Sequence, residues 1–340
     1  MNVVNKPKVI ELFAGAGGLA LGLKKAGFDT VALIEIDSDS CETLKRNNPK
    51  WKVFKEDIVE FAQKDLPKEF NLSIGELDLL SGGYPCQAFS YAGEKRGLED
   101  ARGTLFYDYA LFLKKLKPKM FLAENVRGLV SHDGGKTLQT MLDVFETEGY
   151  KVEYKVLNSW DYSVPQKRER IFIIGIRNDL NDKIKFNYPT PHNYKPVLKD
   201  VLIDVPDSPG QKYSENKKKV MEMVPPGGCW VDLPDEIARD YMKTTYFMGG
   251  GRRGIARRMS MDEPSLTLTT SPAMKQTERC HPIETRPFTT REYARIQTFP
   301  DEWEFVGKVG SIYKQIGNAV PVNLAKAVGE EIVKSLRGDK

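Results

Sequence analysis

The sequence predicts an α/β fold, a mostly parallel sheet with helices on both faces, joined to a smaller irregular domain. Three observations predict it. Short apolar runs alternate with helical patterns through the first half of the chain, the arrangement of strands joined by crossover helices. A glycine-rich turn follows the first apolar run. Near Tyr188 the texture changes: Pro189, Pro191, Pro196, Pro206 and Pro209 crowd together, and periodicity is lost until Arg286.

Taken in order, Val9-Ile10-Glu11-Leu12-Phe13 reads as a buried strand ending in the turn Gly15-Ala16-Gly17-Gly18. Leu19 to Lys25 reads as a helix stopped by Gly27, since glycine readily closes a helix in a left-handed conformation. Val31 to Ile34 is a second strand, and Ser38 to Asn47 a second helix. A third candidate strand precedes Asp57-Ile58. Further strands are Leu77 to Leu80, Met120 to Ala123, and Ile171 to Ile176. In Val322 to Leu336, Leu324, Ala327, Val328, Ile332 and Val333 recur at helical spacing and predict a terminal helix. The expected organisation is one domain formed by 1–188 and 286–340, with 189–285 as an inserted region.

The chain has 340 residues, 40 % hydrophobic and 29 % charged, with a mean hydropathy of −0.44. That is an ordinary globular composition, and it excludes a disordered, collagenous or membrane-bundle protein. No apolar run approaches the ~18 residues of a membrane span, and no stretch near the start suits a signal peptide. Cys41, Cys86, Cys229 and Cys280 show no CxxC spacing, and with three histidines they make neither a zinc site nor a disulfide framework. A cytoplasmic protein without metal is expected. The net charge of +4 permits nucleic-acid binding without requiring it. Residues 189–285 hold 14 Lys and Arg against 13 Asp and Glu, so that region is not basic on average. Its charge is clustered, with Arg252, Arg253, Arg257 and Arg258 in a stretch that has no acid. Lys217 to Lys219 read as a solvated helix face.

Several positions could carry chemistry. A strand entering a glycine-rich turn and then a helix suits a nucleoside cofactor, because glycines admit close backbone approach and the helix start offers free N–H groups. The run Phe13-Ala14-Gly15-Ala16-Gly17-Gly18 is not the GxGxxG dinucleotide fingerprint, because its third glycine comes too soon. The second strand ends in Glu35-Ile36-Asp37, where an acid can accept from ribose hydroxyls. A tight turn with solvated acids is the alternative. Gly82-Gly83-Tyr84-Pro85-Cys86-Gln87 follows the strand 77–80, at the sheet edge where ligand chemistry occurs in open α/β folds. There Cys86 could attack as a thiolate, or it could be a small buried hydrophobe like the other cysteines. Ala123-Glu124-Asn125-Val126 places a carboxyl at another strand end, where it could protonate a ring nitrogen if desolvation raises its pKa. In Gln166-Lys167-Arg168-Glu169-Arg170 the two arginines face one side of an extended segment and could hold a phosphate and a carbonyl oxygen.

Read in order, with Gly317-Asn318-Ala319-Val320-Pro321 and the block Arg286 to Pro300 added, these runs resemble the DNA (cytosine-5) methyltransferases of bacterial restriction–modification systems. The resemblance extends from about residue 8 to 336 and leaves 189–285 as the target-recognition region. It implies a Rossmann-like S-adenosylmethionine-dependent methyltransferase fold. It also implies that Phe13, Gly15, Ala16 and Gly18 line the S-adenosylmethionine pocket, that Glu35 holds the ribose, and that Ile36, Asp57 and Ile58 meet the adenine. Gly83, Pro85, Leu105, Asn318 and Val320 would complete that pocket. Ile36 departs from the aromatic that some members place beside the adenine.

By the same resemblance Cys86 is the nucleophile and Glu124 contacts nitrogen 3 of cytosine. Arg170 reaches the cytosine carbonyl oxygen, and Arg168 steadies the nucleophile loop and a nearby phosphate. A stacked base must be flipped out of the duplex before such chemistry, and Arg252, Arg253, Arg257 and Arg258 are the candidate DNA contacts. The expected partner is double-stranded DNA. A cognate endonuclease without stable complex, and a monomeric enzyme, complete the expectation. A tRNA cytosine-5 methyltransferase, a non-catalytic DNA-binding homologue and a nicotinamide oxidoreductase are the rival readings.

Overall fold

The computed structural model describes residues 6–85, 103–248 and 252–338. The chain folds as two compact units. The first takes in the described residues up to Asn158, Glu169–Pro191, and those from Val322 onward; the second comprises Ser159–Arg168 and His192–Pro321.

The first unit is built on a seven-stranded sheet. In chain order its elements are β1 (Lys8–Leu12), α1 (Gly18–Ala26), β2 (Asp29–Glu35), α2 (Ser38–Asn47), β3 (Val53–Lys55), α3 (Ile58–Phe61), α4 (Leu66–Phe70), β4 (Leu79–Gly82), α5 (Leu105–Leu116), β5 (Met120–Val126), α6 (Lys136–Thr147), β6 (Tyr150–Asn158) and β7 (Glu169–Arg177). The C-terminal helix Val322–Arg337 also belongs to this unit. The strand order is β3-β2-β1-β4-β5-β7-β6. Pairing is parallel from β3 to β5, whereas β7 runs antiparallel to both β5 and β6. Strands β1 and β4 are apolar because helices cover both faces: Val9, Ile10, Leu12, Leu79 and Leu80 are all 1 % exposed or less. Helix α1 packs closely on the C-terminal helix. A Cβ on Gly22 would lie 2.3 Å from the Ala325 Cβ and 2.7 Å from the Val322 carbonyl oxygen, so only glycine permits this approach.

The sheet order reverses between β1 and β4. From β1 the chain winds outward through β2 and β3; from β4 it winds the other way. Ligands of open α/β sheets bind outside the carboxyl ends of the strands at such a switch point. Leu12, at the end of β1, is paired with Gly82, at the end of β4, so the glycine turn and the loop toward Cys86 leave the sheet side by side. Tyr109, buried on α5, donates to the carbonyls of Leu80 and Leu122 and braces β4 and β5 just beneath this edge.

The second unit has shorter elements: α7 (Glu215–Glu222), α8 (Asp235–Met242), α9 (Thr290–Ile296) and α10 (Val309–Asn318). Gln166–Lys167 and Ser265–Leu266 form a two-stranded parallel pair. Met221, Val224, Leu233, Met242, Ile255 and Cys280 form a small core. Residues 286–321 pack within this unit, whereas the sequence alone predicts their return to the first domain. Their backbone is bonded locally: Thr289 bridges Gly210, Pro287 bridges Cys280, and the Thr290 amide donates to Pro209. Lys217 corrects another expectation. It lies on a helix as predicted, yet its ammonium is 2.6 Å from the fully buried Glu278 carboxylate rather than in solvent.

Candidate active site

Four strand ends of the first unit lie in a row, β2, β1, β4 and β5, and each carries a residue singled out from the sequence. At β2, the Glu35 carboxylate is fixed by backbone amides. One oxygen accepts from Gly15 at 2.7 Å, and the other accepts from Ile36 at 2.9 Å and Asp37 at 2.8 Å. Thus the second strand's acid and the first strand's glycine turn form one structure. Gly15 and Gly17 have φ of 52° and 86°, the left-handed region that glycine tolerates, and Phe13 adopts 56° without that freedom. A Cβ on Gly15 would meet nothing within 4 Å, so the backbone there borders open space. Ala16 and Gly18 are buried at the start of α1, whose N-terminal cap, Gly17, supplies no side-chain acceptor.

An S-adenosylmethionine site needs room against backbone and a fixed acceptor for ribose hydroxyls. The Gly15 turn offers the first and Glu35 the second, so the residues present fit the cofactor. Ile36 is 62 % exposed at the end of β2 and can offer an apolar surface to a base. Asp57 caps α3 by accepting from the Val59 amide at 2.9 Å, and Ile58 is buried behind it. Leu105 opens α5 half-buried, following the Thr104 cap.

At β4, Gly83 leaves room for the neighbouring acid: a Cβ on it would lie 2.7 Å from Glu124 Oε2. The other Glu124 oxygen, Oε1, is 3.1 Å from Arg170 Nε, and both side chains are more than four-fifths buried. The antiparallel register makes this pair possible, because β7 brings Arg170 opposite Val126 and Phe172 opposite Glu124. Burial lowers the pKa of the Arg170 guanidinium and the Glu124 charge opposes that shift; an arginine stays ionised regardless. Tyr84 is buried, and its carbonyl accepts from Asn125 Nδ2 at 2.8 Å, which pins the loop leading to Cys86. Pro85 is exposed. Cys86 lies outside the described residues.

Two residues here carry no role that the sequence reveals. Asn125 lies inside the run Glu124-Asn125-Val126, but nothing in one sequence shows that its amide reaches back 41 positions. Glu11 is buried in β1 under the glycine turn, where burial and then the Glu35 charge hold its carboxyl well above the usual range while the Ala20 amide opposes them.

The arginines of the 166–170 segment have separate partners. Arg168 is 1 % exposed, and its guanidinium donates to the carbonyls of Leu268 at 3.0 Å and Gly317 at 2.9 Å. The resemblance implies that Arg168 steadies the nucleophile loop and a nearby phosphate; here its fork is bound to backbone within the second unit. Asn318 and Val320, also in the second unit, follow Gly317; Asn318 is exposed and Val320 is 7 % exposed. Of the four candidate DNA-contacting arginines, Arg252 and Arg253 are exposed. Arg257 is half-buried beside Glu263, at 3.8 Å. Arg258 is a correction. It is 4 % exposed and donates to the Met221 carbonyl at 2.6 Å and the Thr285 hydroxyl at 2.8 Å, so it holds the interior of its unit together.

Residues 7–334 match the family described as C-5 cytosine-specific DNA methylase. The chain is 63 % identical over 330 residues to Type II methyltransferase M.Sau96I of Staphylococcus aureus, covering 96 % of this chain and 76 % of that one. It is 54 % identical over 336 residues to Type II methyltransferase M.Eco47II of Escherichia coli, covering 96 % and 79 %. Among solved structures, Spodoptera frugiperda DNMT2 superposes with a TM-score of 0.62 at 19 % identity, covering 97 % of this chain and 99 % of that one, a likeness of fold. The chain therefore belongs to the C-5 cytosine-specific DNA methylases, enzymes that methylate carbon 5 of cytosine in DNA with S-adenosylmethionine as cofactor.

Proposed function

We propose that the enzyme acts on one cytosine within a specific short duplex sequence, flips that nucleotide out, and protects host DNA in a restriction–modification system. The observation that carries the chemistry is the row formed by Glu35, Gly15, Gly83 and the Glu124–Arg170 pair at the switch point of the sheet. The relatives named as Type II methyltransferases support the biological role.

When bound, S-adenosylmethionine supplies a methyl group made electrophilic by its sulfonium. Phe13, Gly15, Ala16 and Gly18 would line its pocket and Glu35 would hold its ribose hydroxyls. Ile36, Asp57 and Ile58 would meet the adenine, with Gly83, Pro85, Leu105, Asn318 and Val320 completing the pocket. Carbon 5 of cytosine is a poor nucleophile while the ring is aromatic. Attack of the Cys86 thiolate on carbon 6 breaks that aromaticity and makes carbon 5 electron-rich. Glu124 hydrogen-bonds or protonates nitrogen 3, which stabilises the negative charge that develops during the attack. Arg170 holds Glu124 in place and contacts the cytosine carbonyl oxygen. Carbon 5 then takes the methyl group that the cofactor supplies, a base accepts the carbon-5 proton, and the electron pair of that C–H bond re-forms the ring double bond as the Cys86 thiolate departs. Extrusion of the base costs a few kcal/mol, which contacts to DNA must offset. The second unit, with 189–285 as the recognition region and Arg252 and Arg253 on its surface, would supply them.

In this reading the enzyme is a monomer in the bacterial cytoplasm and forms no stable complex with its cognate endonuclease. Among the described residues no helix is long and apolar enough to cross a membrane, and no group of three or more acidic, His or Cys residues stands together as a metal site. The test is transfer of tritium from labelled cofactor onto duplex DNA and onto tRNA, with Cys86→Ser as control. Transfer to DNA at a defined sequence, abolished in Cys86→Ser, is expected. Greater transfer to tRNA, or methylation regardless of neighbouring bases, overturns the reading.

A further inference from the structure

We propose that Gln297 and Arg168 are positioning residues for the cofactor, because they fix the turn carrying Asn318 and Val320 by binding the carbonyls at the end of α10. The inference rests on the assignment of Asn318 and Val320 to the cofactor pocket made above.

A helix leaves its last four carbonyls without partners inside the helix. In α10 the side chains of two distant residues reach two of these carbonyls, those of Ile316, which also accepts from the Ala319 amide at 3.2 Å, and Gly317. Gln297 Nε2 donates to the Ile316 carbonyl at 2.7 Å and, across the turn, to the Ala319 carbonyl at 3.2 Å. Arg168 Nη2 donates to the Gly317 carbonyl between them at 2.9 Å. A cation suits this end of a helix, where the backbone dipole is negative. Gln297 is fully buried and Arg168 is 1 % exposed, so these bonds do not compete with bulk water.

The anchors are themselves anchored. Gln297 Oε1 accepts from Gln166 Nε2 at 2.9 Å, and Gln166 Oε1 accepts from the Leu268 amide at 2.9 Å. Arg168 Nη1 donates to the Leu268 carbonyl at 3.0 Å. Gln166 and Arg168, two apart on an extended segment, therefore grip both polar groups of one backbone residue and extend from it to α10. Beside them, the Tyr293 hydroxyl bonds both the amide and the carbonyl of Thr269. A Cβ on Gly317 would lie 2.2 Å from that Thr269 carbonyl oxygen, so the turn is seated directly against the braced segment. A network of buried polar groups in which the donors are matched to carbonyls holds one geometry, and substitution at one member disturbs the rest.

The test uses Gln297→Glu, which keeps the acceptor for Gln166 but removes both donated bonds and sets a carboxylate oxygen against two carbonyls. A second variant, Gln297→Met, removes the donors without adding charge and serves if the first does not fold. We expect the dissociation constant for S-adenosylmethionine, measured by calorimetry without DNA, to rise about tenfold or more, equivalent to about 1.4 kcal/mol. At saturating cofactor kcat stays within about threefold of wild type, because no reacting group is touched. Arg168→Lys, which keeps the charge but loses the fork, shifts the constant in the same direction. Cofactor affinity unchanged in both Gln297 variants overturns the proposal, as does a loss of kcat and thermal stability without a change in affinity. Asn318→Ala is run in parallel. If it binds cofactor like wild type, the assignment of Asn318 to the pocket fails instead.

Discussion

Replacing Gly83 by alanine tests whether the position of Glu124 matters at the ångström scale. The new Cβ would lie 2.7 Å from Glu124 Oε2, whereas ordinary contact begins at 3.4 Å, so the carboxylate must retreat by about 0.7 Å. Its other oxygen is held by Arg170 Nε at 3.1 Å, so it cannot swing away and keep that partner. A misplacement of about 1 Å in a catalytic group can lower a rate by about 100-fold, and we expect kcat to fall at least about tenfold. Folding should change little, by about 1 kcal/mol or less, because the displaced atom is the tip of a side chain rather than backbone. The assay is tritiated methyl transfer to duplex DNA at saturating cofactor, with thermal melting alongside. Saturation separates an effect on Glu124 from an effect on the cofactor pocket. A Gly83→Ala enzyme with kcat within twofold of wild type would refute the idea that this carboxylate is held in a productive position.

Other substitutions probe the remaining assignments. Arg258→Met should destabilise the second unit by about 1–3 kcal/mol by leaving the Met221 carbonyl without its guanidinium, while the salt dependence of DNA binding stays as in wild type; a changed salt slope would return Arg258 to the DNA interface. Arg252→Ala and Arg253→Ala should each reduce DNA affinity and lower the slope of log affinity against log salt by about one, and an unaltered slope for both removes them from the interface. Asp108, buried on α5, has its carboxyl raised from 3.8 to about 6, first by burial and then by the Asp57 charge. The folded state thus holds this proton more tightly than the unfolded chain does. Its contribution to stability is complete below about pH 4 and is lost as pH rises through about 6. Asp108→Asn should therefore be more stable than wild type to urea at pH 8, with the difference vanishing near pH 4; equal stability at pH 8 contradicts this.

The strands buried in the middle of the sheet are legible in the sequence as short apolar runs, in the parallel part and in the antiparallel β7 alike. The predicted runs 31–34 and 171–176 fall inside β2 and β7, and Ser38–Asn47 is a helix with both predicted ends, set by the Asp37 cap. The glycine turn, Glu35 and Glu124 can be placed because each follows such a strand. Strand β6 escapes a search for continuous apolar runs, because Lys151, Glu153 and Lys155 alternate with Tyr150, Val152, Tyr154 and Val156, the period-two pattern of a strand with one polar face. Without β6, the antiparallel β7 that brings Arg170 to Glu124 cannot be anticipated. The basic clusters mislead for another reason. Arg168 and Arg258 read in the sequence as contacts to phosphate or DNA, yet their acceptors here are carbonyls at Leu268, Gly317 and Met221, brought close only by the fold. The acidic partner of Lys217, Glu278, is likewise remote in sequence. Hydrophobic period reports which face is buried, and it says nothing about which long polar side chain finds a buried acceptor.

The most direct measurement replaces the target cytosine in a duplex oligonucleotide with 5-fluorocytosine and adds enzyme with S-adenosylmethionine. Fluorine at carbon 5 cannot leave as a proton does, so the thioether at carbon 6 should persist. Mass spectrometry of the digested complex should find the oligonucleotide joined to the peptide containing Cys86, and Cys86→Ser should give no adduct. An adduct on another residue, or none while the unmodified duplex is methylated normally, would contradict covalent attack by Cys86.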